Sequence, residues 1–129
     1  MGKVKFLLEY SFGHVSPEGL WTSLSTPSGL SCWFADKVYK EDGVLNFVWG
    51  KSEAQKAEVL HHRSGFYIRY HWLDDEDPKS YLELKILCDE LTMDVVLVVT
   101  DFCGEDEKEE AIDLWNNQIA SLKKAVGAC

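Results

Sequence analysis

The sequence predicts an α+β fold in which a seven-stranded, curved antiparallel sheet carries one long C-terminal helix across its concave face, with two short helices after strand 1. Segments of alternating hydrophobicity fill the chain from Asp36 to Phe102, and one long segment of helical periodicity follows them. The alternating region contains five turn-like breaks, at residues 41–43, 50–52, 63–65, 74–79 and 89–92. These breaks divide it into six strands. A sheet with one apolar face needs a cover, and only the last helix is long enough to provide it.

The length and the charge of the chain limit its functions. Its 129 residues fit a single domain that spans 1–129, and 46% of them are apolar, which supports a real core. Twenty-two acidic residues against thirteen basic ones leave a net charge of −9. Such a surface repels phosphate backbones and anionic membranes, so we expect no nucleic-acid partner.

The first residues lead directly into a strand pattern, without an apolar signal core. No apolar run approaches the ~18 residues that a membrane span requires, so we expect no stable membrane insertion and a cytoplasmic location. Cys32, Cys88, Cys103 and Cys129 are widely separated and form no C-x-x-C pair. We therefore predict neither a zinc site nor a redox motif. We expect ordinary reduced thiols, of which Cys129 is the most exposed to oxidation.

The first strand and the two short helices follow from local signals. Residues 3–12 alternate, with Phe6, Leu8, Tyr10 and Phe12 on one face. Ser16-Pro17 and Thr26-Pro27 each combine an N-cap residue with a proline at the first helical position. The apolar residues at helical spacing that follow are Leu20, Trp21 and Leu24 in the first helix, then Leu30, Trp33 and Phe34 in the second.

The six strands between Asp36 and Phe102 predict a sheet with one apolar and one polar face. The apolar face is expected to carry Leu45, Phe47, Trp49, Ala57, Val59, Ile68, Tyr70, Trp72, Leu82, Leu84, Ile86, Val95, Leu97 and Val99. The polar face is expected to carry Asn46, Lys56, Glu58, Arg69, His71, Glu83 and Lys85. Val96 and Val98 interrupt the alternation, which indicates a central or partly covered last strand.

The last helix is predicted over residues 105–126. Acidic residues crowd its first turns while Lys123 and Lys124 lie near its end, as the helix dipole favours. Gly127 is a suitable C-terminal stop. Its apolar stripe consists of Ile112, Trp115, Ile119, Leu122 and Val126.

This order of elements, with the segment Thr26-Pro27-Ser28-Gly29-Leu30-Ser31-Cys32-Trp33-Phe34-Ala35-Asp36 and the stretch Val99-Thr100-Asp101-Phe102, resembles a family of short bacterial START-like domain proteins. The family belongs to the helix-grip superfamily of START lipid-transfer domains, plant pathogenesis-related allergens, polyketide aromatase/cyclases and the heat-shock ATPase activator. The resemblance covers essentially the whole chain and implies a helix-grip fold. Superfamily members bind lipids, sterols, polyketides or proteins, so the likeness alone does not choose a function.

Two groups of polar residues, an acidic run and three histidines, are candidates for a metal site. Asp74-Asp75-Glu76-Asp77 lacks the ligand spacing of a calcium loop, and a solvated hairpin tip is the better interpretation. His61 and His62 point to opposite faces of a strand and cannot share a metal ion, and His71 lies on the polar face. No nucleophile elbow is present. We predict no catalytic residues, no metal and no cofactor.

Asp101 continues the phase of Val95, Leu97 and Val99, so its carboxylate is expected to point toward the apolar side at the end of its strand. Capping or orienting the start of the last helix is the favoured role, and a cavity role is the alternative.

The leading functional hypothesis is a non-enzymatic binding protein that holds a small apolar or amphipathic, lipid-like molecule between the C-terminal helix and the sheet, entering near the short helices. The aromatic residues could line such a cavity or fill it. The alternatives are a protein-interaction module of the chaperone-associated kind, with a closed core, and an aromatase/cyclase-type enzyme. The predicted cavity residues are Trp33, Phe34, Phe47, Trp49, Ala57, Tyr70, Trp72, Leu84, Leu97, Asp101, Trp115, Ile119 and Leu122.

Overall fold

The structure is a computed structural model that describes residues 3–127, and the expected exposure of Cys129 falls outside these residues. It contains seven strands and three α-helices, with a single 3-10 turn (Glu105–Glu107) before the last helix. In chain order the elements are β1 (Val4–Gly13), α1 (Pro17–Ser25), α2 (Pro27–Leu30), β2 (Lys37–Glu41), β3 (Val44–Trp49), β4 (Glu53–Arg63), β5 (Tyr67–Trp72), β6 (Leu82–Cys88), β7 (Val95–Cys103) and α3 (Lys108–Ala125).

The strands form one antiparallel sheet in the order β1-β7-β6-β5-β4-β3-β2. The first and last strands, β1 and β7, are neighbours. Because β1 and β2 are the two edge strands, the connection between them through α1 and α2 leads from one edge of the sheet to the other. Val98 is 9% exposed on the face of β7 away from the core, in agreement with the predicted partly covered strand. The predicted α+β architecture with two short helices and a long C-terminal helix is confirmed.

The predicted capping signals start both short helices. The Ser16 hydroxyl accepts a hydrogen bond from the Gly19 amide (3.1 Å), and the Thr26 hydroxyl accepts one from the Gly29 amide (3.0 Å). A methyl group on Gly29 would lie 2.1 Å from the Thr22 carbonyl oxygen, so α2 packs against the backbone of α1 in a way that only glycine allows. This close packing turns the chain sharply toward the sheet.

Two predicted helix boundaries require correction. The second helix was expected to continue through Trp33 and Phe34, but it ends at Leu30 and the following residues form turns. The last helix was expected from Glu105, but its first three residues adopt the tighter 3-10 conformation. Helix ends commonly tighten in this way because their terminal backbone groups lack intrahelical partners.

The core lies between the inward face of the sheet and the helices. Trp115, Ile119 and Leu122 are buried along α3, as the predicted stripe required, and Leu20 and Leu24 are fully buried in α1. The Tyr70 hydroxyl donates a 2.7 Å hydrogen bond to the Leu24 carbonyl oxygen. The central strand β5 is thereby joined to the C-terminal turn of α1.

The predicted division into apolar and polar faces fails at three positions. Val59 is 43% exposed although it pairs with the buried Tyr70, and it is the last residue before a bulge that interrupts the register of β4 with β5. Asn46 and Glu83, assigned to the polar face, are both 7% exposed. The Glu83 carboxylate accepts a hydrogen bond there from the Arg69 guanidinium, at 2.9 Å, and the Asn46 amide donates to the Val44 carbonyl oxygen.

The acidic loop between β5 and β6 is more ordered than a solvated tip. The Asp75 side chain is 8% exposed and forms an ion pair with the Lys3 ammonium group at 2.7 Å. It also accepts a hydrogen bond from the Asp77 amide at 2.9 Å. Burial alone would raise the pKa of Asp75, but the hydrogen bonds from Lys3, Ser80 and Asp77 outweigh it and lower that pKa to about 2. The loop is therefore tied to the start of β1.

Candidate functional site

An open cleft of about 370 Å³ lies between α3 and the sheet. It is bordered by the middle of α3 on one side and by the ends of β3, β5 and β7 and the beginnings of β4 and β6 on the other. Phe34, which follows α2, is the contribution of the short-helix segment. The lining residues are Phe34, Trp49, Glu53, Gln55, Trp72, Leu82, Asp101, Leu114, Trp115 and Gln118.

Phe34 lies at the centre of the aromatic lining. Its ring centroid is 5.9 Å from that of Trp49, 6.1 Å from that of Trp72 and 5.9 Å from that of Trp115. Edge-to-face and offset contacts at these separations are favourable and hold the rings in fixed positions. Phe34 is itself only 7% exposed, so it forms the floor of the cleft.

The space beneath this floor is closed. It is enclosed by side chains that leave no room for a water molecule: Leu30, Phe34, Phe47, Tyr70, Trp72, Leu82 and Leu84. Close packing of this kind is the ordinary state of a protein interior. The aromatic residues thus fill the space beneath Phe34, and the cleft lies above it.

Two of the indole N–H groups at the cleft are used within the protein. Trp49 donates to the Phe34 carbonyl oxygen at 2.8 Å, and Trp115 donates to the Asp101 carboxylate at 2.9 Å. With their donors occupied, these two indoles offer a ligand ring surface in place of N–H donors.

Asp101 connects β7 to α3 and also lines the cleft. One carboxylate oxygen accepts from the Trp115 indole, and the other accepts from the Phe102 amide at 2.8 Å. Burial raises the pKa of Asp101, and these two hydrogen bonds offset part of that rise. The favoured prediction was that Asp101 caps or orients the start of the last helix. Its bond reaches Trp115, about two turns into α3, so Asp101 orients the helix without capping it.

Polar side chains form the rim of the cleft. Glu53 and Gln55 lie at the start of β4 and are exposed, and Gln118 of α3 is half-buried. The Gln118 amide donates to the Phe34 carbonyl oxygen at 3.4 Å. The exposed Leu114 completes the helix side, so the opening combines apolar and hydrogen-bonding groups.

The thirteen predicted cavity residues fall into three groups. Those that line the open cleft are Phe34, Trp49, Trp72, Asp101 and Trp115. Those that line the closed space beneath it are Phe34 and Trp72 again, with Phe47, Tyr70 and Leu84. Those that are buried in the core away from both are Trp33, Ala57, Leu97, Ile119 and Leu122.

Sequence reasoning missed the polar and peripheral part of the lining. Gln55 shares the inward phase of Ala57, and Leu114 and Gln118 are neighbours of Trp115 on the helix surface. Glu53 and Gln55 could have been found by extending the inward phase of Ala57 back to the start of β4. Gln118 lies one turn after Trp115 on the same helix face. The exposed Leu114 carried no such signal.

The structure gives no support to a metal site in residues 3–127. No group of three or more histidine, cysteine or acidic side chains is close enough together there to hold an ion. Within the same residues, no helix is long and apolar enough to cross a membrane.

Comparisons with known proteins identify the family. A sequence model described as a START-like superfamily domain matches residues 1–128. Among curated proteins, the chain has no match.

Several solved structures share the fold. The solution structure of BfR322 from Bacteroides fragilis is 44% identical, with a TM-score of 0.69, and the match covers 96% of this chain and 91% of that one. The crystal structure of MLL2253 from Mesorhizobium loti is 19% identical, with a TM-score of 0.77 and coverage of 96% and 97%. The Aha1 dimer from Colwellia psychrerythraea is 15% identical, with a TM-score of 0.77 and coverage of 95% and 96%.

Proposed function

Because the chain belongs to the START-like superfamily, we propose that it is a non-enzymatic binding protein for a small apolar or amphipathic molecule. The proposed site is the cleft between α3 and the sheet. Members of the superfamily commonly bind hydrophobic ligands. The single observation that carries the proposal is the open, aromatic-lined cleft of about 370 Å³.

The size and lining of the cleft favour a small ligand that is partly exposed to solvent. Pockets for small molecules usually measure about 300 to 1,000 Å³ and combine apolar walls with a few polar groups. This cleft is at the lower end of that range, and its floor at Phe34 blocks the interior. The apolar part of the ligand would rest on the indoles while its polar part remains at the rim.

A neutral fluorescent probe tests the proposal. We expect N-phenyl-1-naphthylamine to bind saturably, with one molecule per chain and a dissociation constant on the order of micromolar. Gln118→Trp should fill the cleft and weaken binding at least about tenfold. The matched control is Asn117→Trp, because Asn117 is an exposed neighbour on the same helix that does not line the cleft.

Two outcomes would contradict the proposal. One is the absence of saturable binding to the unmodified protein. The other is equal loss of binding in Gln118→Trp and Asn117→Trp, which would mean that the substituted tryptophan disturbs α3 rather than fills the cleft. Circular dichroism of both variants checks that α3 is intact.

The alternative, a protein-interaction module, has weaker support. Leu7 and Leu87 are 58% and 44% exposed on the face of the sheet away from the helices. A charged residue lies two positions before and two positions after each leucine: Lys5 and Glu9 around Leu7, and Lys85 and Asp89 around Leu87. Isolated exposed leucines of this kind are normal on a monomer surface.

A further inference from the structure

The charges around the cleft are all of one sign. Of the residues that line it, Glu53 and Asp101 are acidic and none is basic. Glu53 is exposed at the rim, while Asp101 is deeper, beside Trp115. Carboxylates against a low-dielectric aromatic wall favour a positively charged or hydrogen-bond-donating group and disfavour an anion.

Lys3, the cation that acts on Asp101, does not cancel this asymmetry. Lys3 lies in the adjoining hollow that also contains Asp75 and Asp101. Its ammonium group forms a 2.7 Å ion pair with the Asp75 carboxylate, whose pKa is lowered to about 2 and which is therefore ionised at neutral pH. The pair is close to neutral as a unit, so the field in the cleft remains set by Asp101 and Glu53.

The aromatic rings supply a second preference for cations. The centroids of Trp49 and Trp72 are 6.3 Å apart with their planes at 49°, and Trp115 faces them across Phe34. The N–H groups of Trp49 and Trp115 are occupied, so a ligand in the cleft meets the rings of these lining residues and not their donors. A cation over an indole face is attracted by the ring quadrupole, and quaternary ammonium groups are recognised in this way.

We propose that the cleft is selective for amphipathic organic cations, in which an amine or quaternary ammonium group rests among Trp49, Trp72 and the carboxylates and an apolar tail lies along Leu82 and Leu114. The inference rests on the proposed binding function and narrows its ligand class. It is carried by the coincidence of two carboxylates, the absence of basic lining residues and the indole faces in one open cleft. Fatty acids and other apolar anions are correspondingly disfavoured.

Three ligands with the same alkyl tail test the selectivity: decyltrimethylammonium, decanol and decanoate. Each displaces N-phenyl-1-naphthylamine from the full chain at neutral pH, below its micelle concentration. We expect decyltrimethylammonium to bind about tenfold more tightly than decanol, and decanoate to bind most weakly. Increasing the salt concentration should lower the affinity for decyltrimethylammonium and leave the affinity for decanol nearly unchanged, because salt screens only the charged ligand.

A conservative variant tests the role of the carboxylate. Glu53→Gln should reduce the ratio of cation to decanol affinity by about threefold, since the cleft loses one charge at its rim. The matched control is Glu58→Gln, which removes an exposed carboxylate from the same strand outside the cleft and should leave the ratio unchanged.

The outcomes separate the two proposals. If all three alkyl ligands bind with equal affinity, or decanoate binds best, the selectivity for cations is overturned while the binding function stands. An unchanged ratio in Glu53→Gln, or an equal change in Glu58→Gln, would also overturn it. If neither the probe nor any alkyl ligand binds, both the selectivity and the proposed function fail.

Discussion

At the scale of single residues, Phe34 sets the depth of the cleft. It lines both the open cleft and the closed space beneath it, and its ring touches the surrounding aromatic rings on several sides. The sequence predicted that Phe34 faces the interior. It could not predict which side of the ring remains open, because that depends on how several large side chains pack together.

Phe34→Ala should join the two spaces and admit longer ligands. Truncating a buried phenylalanine costs about 3 to 5 kcal/mol of unfolding free energy, which urea denaturation measures. Among alkyl ligands of increasing length, we expect the affinity to continue rising with tail length in the variant beyond the point where it levels off in the unmodified protein. An identical length dependence in both proteins would show that Phe34 is not the floor.

Tyr70→Phe tests the bond that joins β5 to α1. The variant leaves the buried Leu24 carbonyl oxygen without its 2.7 Å partner, and an unsatisfied buried acceptor costs about 1 to 3 kcal/mol. The control is Tyr39→Phe, since Tyr39 is 39% exposed. Equal unfolding free energies for Tyr70→Phe and the unmodified protein would contradict this assignment.

Asp75 predicts a particular response to acid. Its pKa is lowered from 3.8 to about 2 in the folded protein, so its contribution to stability is present above pH 4 and is lost as the pH falls toward 2. The raised pKa of Asp101 acts in the opposite direction, because its contribution is lost as the pH rises. Asp75→Asn should therefore flatten the acid side of the stability profile, and a steeper profile would contradict the account.

At the scale of elements, periodicity predicted where strands and helices lie but not where they deviate. The alternation from Asp36 to Phe102 gave all six strands, and the stripe of α3 identified Trp115, Ile119 and Leu122 as buried. The bulge after Val59 was not predictable, because Val59 and Leu60 are adjacent apolar residues that leave the phase of the strand undetermined. Glu53 and Gln55 of the polar rim were missed because they lie at the start of β4, before its first buried residue.

Trp115 is one of three buried residues that attach α3 to the core. Trp115→Ala removes a buried ring and leaves Asp101 without its 2.9 Å donor, so we expect a loss of roughly 3 to 5 kcal/mol. Asp113→Ala, at an exposed position of the same helix, should change stability by less than about 0.5 kcal/mol. A melting temperature of Trp115→Ala within a degree of that of the unmodified protein would refute the packing described for α3.

At the scale of the whole molecule, the net charge of −9 determines which macromolecules approach it. We expect it to repel nucleic acids, since its acidic residues outnumber the basic ones that could replace the counterions of the phosphates. We expect no salt-sensitive binding of single-stranded or duplex oligonucleotides at micromolar concentration in a gel-shift assay. The same negative field attracts organic cations to the acidic cleft.

The central claim, that the cleft binds an apolar or amphipathic molecule, is tested most directly by the indole N–H resonances of the tryptophans in a ¹⁵N–¹H spectrum. During titration with N-phenyl-1-naphthylamine, the resonances of Trp49, Trp72 and Trp115 should shift together and saturate at one molecule per chain. Trp21, which lies on α1 away from the cleft, should remain unchanged. Unshifted cleft resonances, or an equal shift of Trp21, would contradict the account.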